Sequence, residues 1–307
     1  RWTSRLRARE FQSFMSVFTS IVGMMPHSWI KAVSNASWRH PAVRRAFEWS
    51  AKRIQGQAGK IRQGVGKGLL FNPGGSNAGY LLGTSEPGVQ RAMLALLRPG
   101  MTFFDVGANV GFHSTLACLL IDPSRGHVVS FEPLTANADQ IEVNARLNHF
   151  DSVQVMRVAL GNYDGEARFL LSEISSRGAL ETTGRIPSSP AGTARVRIRR
   201  LDTLMSEAHL PPPDVMKIDV EGAEADVLAG AHETLMHHRP ILMIELHGTN
   251  AEVASALDAI GYRTSVLGRT GSIAEVPWDS YIIARPAERA DLAACISSLS
   301  MPTVESR

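Results

Sequence analysis

Two constellations of glycine and acidic residues carry the chemistry open to this chain. The first is Phe103-Phe104-Asp105-Val106-Gly107-Ala108-Asn109-Val110-Gly111, followed by Phe131-Glu132-Pro133. It reads as a buried strand, a glycine turn, a helix and a second strand with Glu132 at its end. Gly107 and Gly111 let the backbone approach a ligand closely. Glu132 stands 25 residues after Gly107, where a carboxylate can accept both hydroxyls of a ribose. The D-x-G-x-x-x-G pattern lacks the G-x-G-x-x-G spacing of a dinucleotide site. A short turn with an acidic lead residue suits S-adenosylmethionine, a nucleoside with no pyrophosphate to cradle.

The second constellation is Val215-Met216-Lys217-Ile218-Asp219-Val220-Glu221-Gly222-Ala223-Glu224. In doubly wound sheets, ligands sit outside the carboxyl ends of the strands, near the switch in strand order. Asp105, Glu132, Asp219 and Glu245 are all expected at or near such ends. Four acids at one rim repel unless they stand apart or meet a cationic or hydroxyl-rich ligand. A sulfonium and an amino group are two such cations. Glu224 falls in the first turn of the next helix, where a carboxylate complements the helix dipole. Deprotonating a poorly nucleophilic hydroxyl needs a general base. Asp219, Glu221, Glu245, His247 and His113 are the candidates, with Asp219 favoured for its place at a strand end. Asp219, Glu245 and His247 could instead ligate a divalent cation. No compact ligand motif supports that, so no metal is expected.

The elements that must position these residues alternate regularly. Strands are expected over 102–106, 128–132, 153–160, 215–220 and 241–247, and helices over 86–97, 111–120, 135–148, 223–237 and 251–260. Residues 166–171 and 196–201 read as paired strands around a loop rich in Ser, Gly and Pro. Residues 262–267 and 281–284 complete the sheet as a hairpin pair. Strands separated by helices imply a mostly parallel sheet of seven strands with helices on both faces. The chain divides into a basic, mainly helical extension over 1–79, a catalytic domain over 80–286, and a polar, peripheral tail over 287–307.

With 307 residues, 44% of them hydrophobic, the chain can bury a full core. Its net charge of +3 conceals an asymmetry. Residues 1–67 carry 13 Lys/Arg against Glu10 and Glu48, about +11, and the other 240 carry 19 against 27 acids, about −8. Such an arm could meet an anionic membrane, nucleic acid or its own domain. Residues 11–30 are apolar but interrupted by Gln12, Ser13, Ser16, Thr19 and Ser20, so a surface-lying or packed amphipathic helix is expected, not a membrane span. The two cysteines, Cys118 and Cys295, form neither a disulfide framework nor a zinc cluster. They fit a reducing compartment. The expected location is the cytoplasm, with peripheral contact at the inner membrane surface through residues 1–67.

The motifs DVGANVG, FEP with Asn137 downstream, Ala159-Leu160-Gly161, and KIDVEGAE followed by PILMIEL resemble those of the FkbM family of S-adenosylmethionine-dependent methyltransferases. The resemblance spans roughly residues 80–285 and includes the lead-in Gly83-Thr84-Ser85-Glu86. It implies a Rossmann-like class I methyltransferase sheet and an O-methyltransferase acting on a hydroxyl of a sugar, glycolipid or secondary metabolite. It places Asp105, Gly107, Asn109 and Gly111 around the methionine part of the cofactor, Glu132 on the ribose, and Ala159 and Leu160 beside the adenine. Glu86 and Asn137 join that cofactor-binding set. Asp219 would lie near the transferring methyl, with Glu221 beside it. Ser85 departs from the aromatic that related sequences often carry before the glutamate, which weakens any substrate contact there.

Three other readings compete. An NAD- or FAD-dependent oxidoreductase lacks its glycine fingerprint here. For a nucleic-acid methyltransferase, Pro211-Pro212-Pro213 precedes the strand that an amino-methylating motif should follow, and the arm shows no recognition motif. A non-catalytic binding module on the same fold is compatible with the sequence. Oligomeric state leaves no trace in it.

Overall fold

The computed structural model describes residues 56–172, 178–187 and 189–300. Most of the basic arm, including the amphipathic segment expected over 11–30, lies outside the described residues. Two short strands, β1 (Gly59–Lys60) and β2 (Leu70–Phe71), pair antiparallel, and α1 (Pro87–Leu96) follows. The alternating units come next: β3 (Thr102–Val106), α2 (Phe112–Ile121), β4 (His127–Phe131), α3 (Thr135–Leu147) and β5 (Val153–Met156). A side layer contains β6 (Ala159–Leu160), β7 (Gly165–Ser172), β8 (Ala179–Leu180) and β9 (Pro190–Arg199). The chain returns through α4 (Leu201–Glu207), β10 (Val215–Ile218), α5 (Glu224–Gly230), α6 (His232–His238), β11 (Ile241–Glu245), α7 (Asn250–Ala259), β12 (Tyr262–Val266), β13 (Tyr281–Pro286) and α8 (Ala293–Ser300).

The main sheet has seven strands in the order β12-β13-β11-β10-β3-β4-β5. All neighbours pair in parallel except at β13, which runs antiparallel to both of its own. This is the expected Rossmann-like α/β sheet with one inserted antiparallel strand. Side chains alternate across it. Phe104, Val106, Met216 and Ile218 face the core under α4 to α7, and Phe103, Val215 and Met243 face the core under α1, α2 and α8. The strand order reverses between β3 and β10, so a crevice opens where Gly107 and Asp219 leave those strands.

Four expectations need correction. The strand expected over 153–160 stops at Met156, where Val158 N–H donates back to Met156 O (2.9 Å). That turn sends β6 into a second sheet, ordered β6-β9-β7-β8. The helix expected over 223–237 breaks at Ala231, which closes α5 and opens α6. There Gly230 lies so close to Gly161 O that a Cβ would stand 1.9 Å from it. Residues 59–71 form the β1–β2 ribbon, where helical segments are expected through residue 67, with Ile61 and Phe71 buried in the same core as α1 and α2. Asn144 and Asn148 of α3 each bridge the backbone N–H and C=O of a ribbon residue, Asn72 and Leu70 respectively, so packing continues across the boundary expected at 79/80.

The C-terminal tail is not peripheral through residue 300. Ile296 of α8 is 1% exposed, and Gly268 N–H donates to Leu299 O (2.9 Å). Truncating a buried isoleucine to alanine costs about 2–5 kcal/mol through lost transfer energy and the cavity left behind. We expect Ile296→Ala to lower the urea midpoint accordingly, whereas Leu94→Ala, at an exposed position of α1, should leave it nearly unchanged. Among the described residues no helix is long and apolar enough to cross a membrane.

Candidate functional site

The glycine loop after β3 is held from both sides. Gly107 N–H and Ala108 N–H both donate to Phe131 O, at 3.0 and 3.1 Å. Gly107 has φ +79°, and a Cβ there would stand 1.9 Å from Asp219 O. Only glycine lets the β3 and β10 tips close to this distance. Asn109 follows with φ +49°. Its N–H donates to Glu132 Oε2 (2.9 Å) and its side-chain amide to Ser76 Oγ (2.7 Å). Gly111, at φ +80°, caps α2 against Ile141 of α3.

Glu132 is the hub of this end. Its carboxylate accepts from Asn109 N–H, Leu134 N–H (2.9 Å) and Asn137 Nδ2 (3.4 Å). Burial nevertheless pushes its pKa up to about 7, outweighing those donors. A carboxylate offers about four lone-pair sites, so capacity remains for a further donor. The crevice beside it is lined by Gly107, Asn109, Glu132, Ala159, Leu160, Asp219 and Glu221 among others. Of the residues expected to contact a cofactor, these share one crevice, and Asn137 acts through Glu132. Asp105 does not join them. It is fully buried within β3, where Ser114 Oγ donates to Oδ2 (2.6 Å), and β10 sets Lys217 directly opposite. Its carboxylate supports the fold beneath the loop instead of facing the crevice. Glu86, at the start of α1, stands at the far end of the acidic cluster, where it meets His113 Nε2 (3.3 Å) and Tyr281 OH (3.0 Å).

That cluster is built around a buried lysine. Lys217 is 1% exposed, and its Nζ lies 2.8 Å from Asp219 Oδ2. Burial would lower its pKa, but Asp219, Asp105 and Glu86 together raise it, so it stays charged. Burial likewise opposes the charge on Asp219, yet Lys217 holds that carboxyl down at about 2. A carboxylate so stabilised is a weak proton acceptor, which weighs against Asp219 as general base. Tyr281 OH also donates to Asp219 Oδ2 (3.4 Å).

His247 completes the arrangement from the loop after β11. Its ring is 95% buried, and Nδ1 lies 2.9 Å from Glu224 Oε1. Its Nε2 faces Asp219, Glu221 and Glu245 at 3.9, 3.7 and 3.8 Å. Burial works against its charge, but Glu224 and the nearby acids raise its pKa to about 9. Glu245 is pushed up to about 8 by burial and by Asp219. Glu221 is also raised, chiefly by burial, while Arg185 Nη2 pairs with it at 3.0 Å. Its backbone adopts φ +56°, a strained conformation for a non-glycine residue that often marks functional sites. Glu224 stands in the first turn of α5 as expected from sequence, and it is also the fully buried anchor of His247.

Residues 105–264 match the Methyltransferase FkbM domain family, just over half of the chain. The chain belongs to the FkbM methyltransferase family. Hexuronic acid methyltransferase AglP of Haloferax volcanii is 28% identical over 162 residues, 53% of this chain and 62% of AglP. 2-O-methyltransferase NoeI of Sinorhizobium fredii is 30% identical over 169 residues, 51% of this chain and 68% of NoeI. The chain thus spans somewhat under two thirds of AglP's length. A solved Methyltransferase FkbM from Methylobacillus flagellatus KT aligns with a TM-score of 0.43 and 17% identity, over 60% of this chain and 43% of that one.

The FkbM match begins at Asp105 and takes in Glu132, Asp219, Glu221, Glu224, Glu245 and His247. Tyr281 and Glu86 lie outside it, yet both reach the cluster. Sequence reasoning missed Lys217, Tyr281, Arg185 and Trp278. Trp278 carries Arg185 over its ring at 5.2 Å and lies beside His247. Parity offered a signal for Lys217: it and Asp105 are charged residues inside apolar strand runs, which burial tolerates only when they are paired.

Proposed function

We propose that this FkbM-family chain is an S-adenosylmethionine-dependent O-methyltransferase acting on a hydroxyl of a sugar or glycolipid. One observation carries the reading: a single crevice at the β3/β10 switch joins Glu132, with acceptor capacity to spare, to the carboxylate–imidazole cluster at Asp219. Glu132 would take the ribose hydroxyls, Ala159 and Leu160 the adenine, and the loop from Gly107 to Asn109 the amino-acid part. When bound, S-adenosylmethionine supplies an electrophilic methyl group that passes from sulfur to the acceptor oxygen. The protein's share is positioning, charge and removal of the hydroxyl proton.

We assign that proton to Glu221. Its carboxylate lines the crevice, and burial makes it a stronger base than an ordinary glutamate. Asp219 stays ionised beside the reacting centre, and His247, held by Glu224, stands 3.7 Å from Glu221. The sugar acceptor is supported by the names of the relatives, a hexuronic acid methyltransferase and a 2-O-methyltransferase. The many acids around the crevice suit a ligand that brings cationic groups and hydroxyls.

The test is calorimetric titration with S-adenosylmethionine across pH 5–8. Both ribose hydroxyls donate most strongly to ionised Glu132, whose pKa burial pushes up to about 7. Binding should therefore be level above pH 7 and weaken about tenfold per unit below it. Glu132→Gln should bind about a hundredfold more weakly, through loss of charge-assisted hydrogen bonds, and without that slope. Affinity that is flat with pH in the parent chain would exclude Glu132 as the ribose ligand.

A further inference from the structure

We propose that Asp219, Glu245 and His247 form a binding site for a divalent cation. One ligand atom from each residue lies within 4.8 Å of the other two. The sequence separates Asp219 from the other pair by α5, α6 and β11, so no compact motif announces the site. The fold reunites them because β10 and β11 are parallel neighbours with Ile218 opposite Ile244.

Three features distinguish this group from a chance cluster of acids. The side chain of His247 is 95% buried, and its Nε2 faces the carboxylates of Asp219, Glu245 and Glu221 at 3.9, 3.8 and 3.7 Å, beyond hydrogen-bond distance. Its other ring nitrogen is fixed by Glu224, which is fully buried and also accepts from Thr249 Oγ1 (2.7 Å) and Gly222 N–H (2.9 Å). A carboxylate that orients a histidine from behind is the usual outer support of a metal ligand. Asp219 divides its oxygens: Oδ2 serves Lys217 and Tyr281, while Oδ1 faces Nε2. The Nε2–Oδ1 and Nε2–Oε1 separations of 3.9 and 3.8 Å need to close by nearly 1 Å to reach the roughly 3.0 Å between adjacent ligands of an octahedral cation.

One imidazole and two carboxylates suit a hard or borderline cation such as Mn2+ or Mg2+. Three ligands from one side leave positions open for water or for the acceptor hydroxyl. For its role, though not for its existence, the site rests on the methyl-transfer reading. A cation here would lower the pKa of a hydroxyl brought against it, and the proton would pass to Glu221, whose Oε2 lies 3.7 Å from Nε2.

The test uses the whole chain, stripped with chelator, and follows the free Mn2+ signal by electron paramagnetic resonance. The expected result is one Mn2+ per chain. Glu245→Gln and His247→Gln should each weaken binding at least tenfold, and Glu224→Gln about 10–100-fold. Glu245→Gln, at a part-exposed position, decides the matter if His247→Gln folds poorly. An unchanged free Mn2+ signal with the parent chain, or equal binding by Glu245→Gln, would overturn the site. Calorimetry with S-adenosylmethionine on the same samples separates the two claims. Cofactor binding without Mn2+ binding removes the cation site alone, and Mn2+ binding without cofactor binding supports the site and removes the proposed function.

Discussion

Glu221→Gln is expected to lower kcat for methyl transfer about 10²–10³-fold while leaving affinity for S-adenosylmethionine within about twofold. The magnitude is that of removing a positioned general base. Binding survives because the nucleoside contacts are assigned to Glu132 and Ala159. The pH–rate profile should also lose its acidic limb, which a purely structural role would leave in place. Asp219→Asn should fail differently. It strips the buried Lys217 of its closest partner, and breaking a buried ion pair costs about 3–5 kcal/mol of stability. The two variants therefore separate proton transfer from charge support: one keeps its melting temperature and loses turnover, and the other loses both. A Glu221→Gln protein with parental kcat would return the base to Glu245 or His247.

Gly107→Ala is the second large effect. Its backbone lies at φ +79°, where a side chain costs about 1–2 kcal/mol. The added Cβ would also meet Asp219 O at 1.9 Å. Relief requires the β3 and β10 tips to part, breaking the bond from Asp219 N–H to Val106 O (3.0 Å) and distorting the crevice. We expect a loss of about 4 kcal/mol or more, a fall in Tm on the order of 10 °C, and no detectable cofactor binding. Gly100→Ala is the control. Its φ of +88° carries the same backbone penalty, but nothing lies within 4 Å of the added Cβ, so it should cost about 1–2 kcal/mol and retain binding. Equal Tm values for the two variants would show that the close approach is not structural.

The strands that build the crevice were legible because β3, β4, β10 and β11 are apolar runs ended by glycine or acid, and their ends locate the rim of a parallel sheet. Glu132, Asp219, Glu221, Glu245 and His247 could be placed on that logic alone. Asp105 could not, since the same pattern fits a carboxylate at the rim and one paired inside the sheet. Only the register with Lys217 decides between them. The run 153–160 resumes its apolar character directly after Arg157, so hydrophobicity cannot reveal that Ala159 and Leu160 join another sheet. Ala231 interrupts a helix with no glycine or proline at its own position, because the break comes from Gly230 meeting Gly161. Tyr281 and Arg185 reach the cluster from elements distant in sequence, and no local pattern announces them.

The most direct test supplies the chain with S-adenosylmethionine labelled in its methyl group and with hydroxyl-bearing sugars, including hexuronic acids. The account predicts label in an O-methyl ether of the sugar, dependent on Glu132 and Glu221. A folded, cofactor-binding chain that moves label to no sugar hydroxyl, or that methylates nitrogen in nucleic acid instead, would contradict it.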